Sequence, residues 1–153
     1  MFRISLFIST AAFVGAACSS SDQKDPVLEE AARFHNEATE IQATVEPRIG
    51  QIDSIKTLLA NRPQPAAQAT MATLDSLKKA FEEWEKNLVE VPGMPHEHHH
   101  ESGKHKHHHH TDATLKDLPA DQMRDLQRET RDNIRRIQDR TETVIKQAQH
   151  LVQ

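Results

Sequence analysis

Tyrosine is absent from this 153-residue chain, and cysteine and tryptophan occur once each. Aromatic residues make up only 4% of it. A sheet sandwich would draw its core from aromatic and β-branched residues, so the shortage favours helices. A single cysteine leaves no intrachain disulfide to form. Positive charge is not in excess: 19 Lys and Arg stand against 23 Asp and Glu, a formal net charge of −4. No basic patch interleaved with aromatics is present either, which argues against nucleic acid as a partner. The Lys and Arg residues gather in the last third among acids, the pattern of a solvated helix face. No nucleophile elbow or glycine-rich phosphate loop occurs. The paired Glu-x-x-His signature of di-iron bundles is missing from the helical stretches. These absences point away from an enzyme. The length fits one domain.

The apolar runs are short. Ile4 to Val14 follows Arg3 and is too brief to span a bilayer comfortably. Small residues follow, and then Cys18, the layout of a secretory signal peptide over residues 1–17. Val14-Gly15-Ala16-Ala17-Cys18 resembles the lipobox of bacterial lipoproteins, with Gly15 where that family usually has Leu. Ordinary signal cleavage near Ala17 is the alternative. The resemblance implies a diacylglycerol on the Cys18 sulfur and a further acyl chain on its amine. Two or more chains anchor stably where one is marginal. Residues 18–25, with Ser19, Ser20 and Ser21, then form a flexible tether. Ser19 after the cysteine differs from the inner-membrane retention signal of enterobacteria, which favours the outer membrane. The rest of the chain would face the periplasm or the cell surface.

Three amphipathic helices are predicted beyond the tether. The first covers about residues 26–60, with Asp25 as N-cap and Pro26 at the first helical position. Its seam is Val27, Ala31, Phe34, Ala38, Ile41, Val45, Arg48, Ile52, Ile55 and Leu59, at alternating spacings of four and three. Pro47 predicts a kink, and rotation there would bring Ile49 into the place of Arg48. The second covers about 65–91, with the seam Ala67, Thr70, Leu74, Leu77, Phe81, Trp84, Leu88 and Val91. At that register Trp84 reads as core rather than as a ligand-stacking residue. The third covers about 120–152 through Met123, Leu126, Thr130, Ile134, Ile137, Thr141, Val144, Ala148 and Leu151. The spacings from Leu126 to Thr130 to Ile134 make a stutter in that seam. The fold class expected is all-α, an elongated up-down-up three-helix bundle or coiled coil of roughly 40–50 Å. Helices of unequal length leave seam uncovered, which would suit a homodimer or another protein partner.

Residues 92–119 carry the most unusual stretch, His-Glu-His-His-His-Glu-Ser-Gly-Lys-His-Lys-His-His-His-His over 96–110. Of the 11 histidines, only His35 and His150 lie elsewhere. Neither has a His, Asp or Glu three or four residues away on its own helix, so both read as surface or seam-edge side chains. The stretch is polar and without periodicity, which predicts a disordered loop. Neutral imidazole is the commonest metal ligand and suits Zn, Ni and Cu. The candidate metal ligands are His96, His98, His99, His100, His105, His107, His108, His109 and His110, with Glu97 and Glu101 as added oxygen donors. No rigid geometry is specified, so binding would be multi-site and poorly selective. No cofactor is required.

Val45-Glu46-Pro47-Arg48-Ile49-Gly50, Phe81-Glu82-Glu83-Trp84 and the His-rich gap before a charged last helix resemble small bacterial lipoproteins labelled "viral A-type inclusion protein". The likeness covers most of residues 27–150. It departs at Gln42, Ala43 and Thr44, where relatives tend to have His-Asp-Glu. It implies no viral role and supplies no activity. Leu118-Pro119-Ala120-Asp121-Gln122 resembles, in one copy and with Pro119 in place of Thr, the Leu-Thr-x-x-Gln motif of periplasmic helical stress chaperones. Three functions therefore compete: a metal-binding envelope lipoprotein, a structural or adaptor bundle with the loop as a solvated spacer, and a metal-responsive holdase chaperone.

Overall fold

The computed structural model describes residues 25–62, 64–94 and 118–153, and these are helical without a strand. The helices are α1 (Pro26–Gly50), α2 (Ile52–Ala60), α3 (Pro65–Lys86) and α4 (Ala120–Val152). Asp25 caps α1 as expected, its carboxylate accepting from the Val27 N–H at 2.9 Å with Pro26 in the first turn.

The first predicted helix is two helices. Pro47 lies inside α1 and the break falls at Gln51, whose N–H turns back to the Arg48 carbonyl. A proline withholds one backbone donor and crowds the turn before it, and Gly50 adds the poorest non-proline helix former next to the break. The expected exchange on the seam occurs: Ile49 is buried and Arg48 exposed. Helix α2 then resumes the stripe with Ile52 and Leu59, both fully buried.

The second predicted helix ends at Lys86 rather than at Val91. The Asn87 N–H reaches the carbonyls of Glu83 and Trp84, and Leu88 that of Glu85, a tightened last turn. Beyond it Val89 and Val91 are buried while Leu88 and Glu90 are half-buried. That alternation is the period of extended chain, suited to β-branched side chains and enforced by Pro92 on the residue before it. Pro92 and Gly93 then form a turn closed by Met94 N–H to Val91 C=O, with Gly93 at φ 79°, a conformation glycine takes without penalty.

Side-chain pairs fix the directions of the helices. Lys78 meets Asp53 and Lys56 meets Asp75, so α3 runs antiparallel to α2. His35 meets Gln127, and Arg62 at the end of α2 donates to the Val152 carbonyl at the end of α4. Helices α1–α2 and α4 thus run in the same direction, with α4 packed against all the others. The main core lies between them. Leu74 and Leu77 of α3 are at most 1% exposed, and burying such a side chain stabilises by about 1.5–3 kcal/mol.

On α4 the seam passes through Gln127, not Leu126. Gln127 is fully buried and Leu126 half-buried. Read through Gln127, the positions 123, 127, 130, 134, 137, 141, 144 and 148 alternate four and three without interruption. The stutter predicted from Leu126 is therefore not there.

Candidate functional site

Cys18 and all nine histidines of the 96–110 stretch lie outside the described residues, as does the predicted disordered loop apart from its two ends. Those ends can be placed. Met94 and Leu118 both pack, half-buried, against a second apolar cluster made by Ala31, Val89, Val91 and Met123. Leu28, from the first turn of α1, packs on the same cluster. The two roots of the histidine-bearing segment and the start of the first helix therefore share one pole of the molecule. The opposite pole is the end of α2 and α4, closed by Arg62 and Val152.

A buried hydrogen-bond chain fastens one root. The Gln127 amide donates from Nε2 to the Val89 carbonyl at 2.7 Å. Its oxygen is then turned to His35, whose Nδ1–H donates to Oε1 at 3.2 Å. His35 is 6% exposed and Gln127 is not exposed at all. The 88–91 backbone lies outside any helix or strand, and the Gln127 side chain gives the Val89 carbonyl its partner. The surface or seam-edge reading of His35 is corrected accordingly: it faces α4 inside the pole and meets Gln127. His150 is exposed on the last turn of α4.

Next to this chain Phe34 carries two guanidinium groups over its ring, Arg131 at 4.5 Å and Arg33 at 5.2 Å from the centroid. Arg131 is only 15% exposed at its side chain and bonds Glu37 at 3.0 Å and Asp132. Burial pulls its pKa down, but the hydrogen bonds to Glu37 and Asp132 outweigh this and hold it above the ordinary arginine value. Trp84 is core, as its register required. It stacks on Phe81 and donates from Nε1 to the Thr130 carbonyl at 2.9 Å.

Among the described residues no three His, Cys, Asp or Glu side chains are grouped so as to hold a metal ion. No described helix is long and apolar enough to cross a membrane. Sequence reasoning missed Gln127 and the burial of His35. The signal was available in the spacing, since only position 127 continues the heptad back from Ile134 to Met123. The chain matches no family model, no curated protein and no solved structure.

Proposed function

We propose that this chain is a non-enzymatic bacterial envelope lipoprotein, anchored through an acylated Cys18, whose histidine-rich segment binds transition metal ions for buffering or capture. The observation that carries the reading is the density of imidazole, nine side chains within residues 96–110 with Glu97 and Glu101 among them. Zn, Ni and Cu are the ions this donor set suits, and many alternative four-imidazole sets are available. The packed roots at Met94 and Leu118 support it, because they give the segment a fixed base on a helical frame. The frame itself is an elongated up-down-up three-helix bundle with coiled-coil seams, and it holds the segment without taking part in coordination.

Two variants test the reading in cells. Cys18→Ser leaves the protein in the soluble fraction, or uncleaved in the membrane. An unmodified thiol on mature Cys18 by mass spectrometry contradicts the anchor. Replacing the nine segment histidines with Ser or Gln alters growth under metal excess or metal starvation. Unchanged growth, with metal binding lost, assigns the segment to a spacer instead.

A further inference from the structure

The start of α1 and the two roots of the 95–117 segment lie at one pole of the described structure. Asp25 and Pro26 begin α1 there, and Leu28 shares its apolar cluster with Met94 and Leu118. The residues from Cys18 to Asp25 reach at most about 25 Å when fully extended. Helix α4, with 33 residues, is about 50 Å long. An anchor at Cys18 therefore keeps this pole near its membrane, while the Arg62–Val152 pole can come down only if the molecule lies flat. Lying flat calls for a helix face that is apolar on one side and basic at its edges. Among the described residues Leu58 is the sole exposed large hydrophobic side chain. Several cations in the first half of α4 are paired with acids, Arg124 and Arg128 on Asp125 and Arg131 on Glu37 and Asp132.

We infer that the pole made by Leu28, Val91, Met94 and Leu118 faces the lipid surface, with the long helices standing away from it. The occupant of the space before this pole is a lipid bilayer, and the roots of the histidine-bearing segment open toward it. Asp25, Glu29 and Asp121 are exposed at this pole, so it stands off anionic headgroups on its tether rather than adsorbing to them. The inference rests on the lipid anchor at Cys18.

The test uses the full lipidated chain in phosphatidylcholine vesicles containing a dansyl-headgroup lipid. In a Trp84→Phe background a single tryptophan is placed near the membrane-facing pole by Gln122→Trp, or at the far pole by Asn61→Trp. Energy transfer to the dansyl lipid is expected to be at least threefold stronger from position 122. Equal transfer from the two positions, or stronger transfer from 61, overturns the inference. If the background substitution disturbs folding, the wild-type chain is examined by NMR with a gadolinium-chelating headgroup lipid. Amides of residues 121–125 should broaden before those of 58–61, and the reverse order overturns the inference equally. Vesicle flotation separates the two claims: a chain that floats but lies flat contradicts the orientation alone, whereas one that does not float removes the anchor and the orientation with it.

Discussion

Gln127 is the residue on which the pole depends most. Its amide serves α1 through His35 and the extended 88–91 stretch through Val89, from a fully buried position on α4. Gln127→Leu keeps the volume and removes both hydrogen bonds. Leaving a buried polar group without its partner costs about 1–3 kcal/mol, so chemical denaturation should show a loss of that size. Hydrogen exchange of residues 88–94 should speed up more than that of α3. Thr141 presents the opposite case. It is 1% exposed, and its hydroxyl finds no hydrogen-bond partner within the helical core. Thr141→Val removes that desolvated hydroxyl and should stabilise the protein by about 1 kcal/mol, read as a higher midpoint in urea. The heptad spacing marks both positions as seam, but whether a polar side chain there stabilises or costs depends on its partners across the interface.

The elements were legible to different degrees. The stripe of α3 from Ala67 to Trp84 is legible in the sequence because Leu74, Leu77, Phe81 and Trp84 put strong apolar side chains on the seam. Its end was misplaced because Leu88 and Val91 fit a helical stripe as well as Val89 and Val91 fit an extended one. Burial on the second cluster and the Pro92–Gly93 turn favoured the extended form. The division of α1 from α2 follows from Pro47 and Gly50, though the break falls one turn later than the kink predicted. Between α2 and α3 the hydrogen bond from Lys78 holds the exposed Asp53 carboxyl below its ordinary value, and the charge of Lys78 adds to this. A depressed carboxyl stabilises the fold above its unfolded pKa, near ~3.9, and the contribution is lost as pH falls through the lower folded value. Acid unfolding of Asp53→Asn should accordingly show a shallower dependence on pH below about 4 than the wild type.

At the scale of the molecule the helical class was legible and the frame's end was not. The sequence marked 96–110 as the unusual stretch, but nothing in it places Met94 and Leu118 on one cluster with Leu28, since that needs the relative directions of the helices. Because both roots are packed together, shortening the segment between them should cost little. Loop closure changes by only about 0.6 kcal/mol per doubling of length. Deleting residues 96–110 is expected to leave the far-ultraviolet circular dichroism and the unfolding midpoint nearly unchanged, whereas a large loss of helix would mean that the segment supports the frame.

The most direct measurement is a calorimetric titration of Zn, Ni or Cu into residues 19–153, beside the variant in which all nine histidines from His96 to His110 are replaced by Ser or Gln. The histidine segment should bind more than one ion per chain near pH 7. Affinity should fall steeply toward pH 5.5, because a ligating imidazole must be neutral and its ordinary pKa lies near ~6.5. The nine-histidine variant should bind none and keep its helicity. Stoichiometric binding retained in that variant would place the metal on His35, His150 and the helix carboxylates, and would contradict the account.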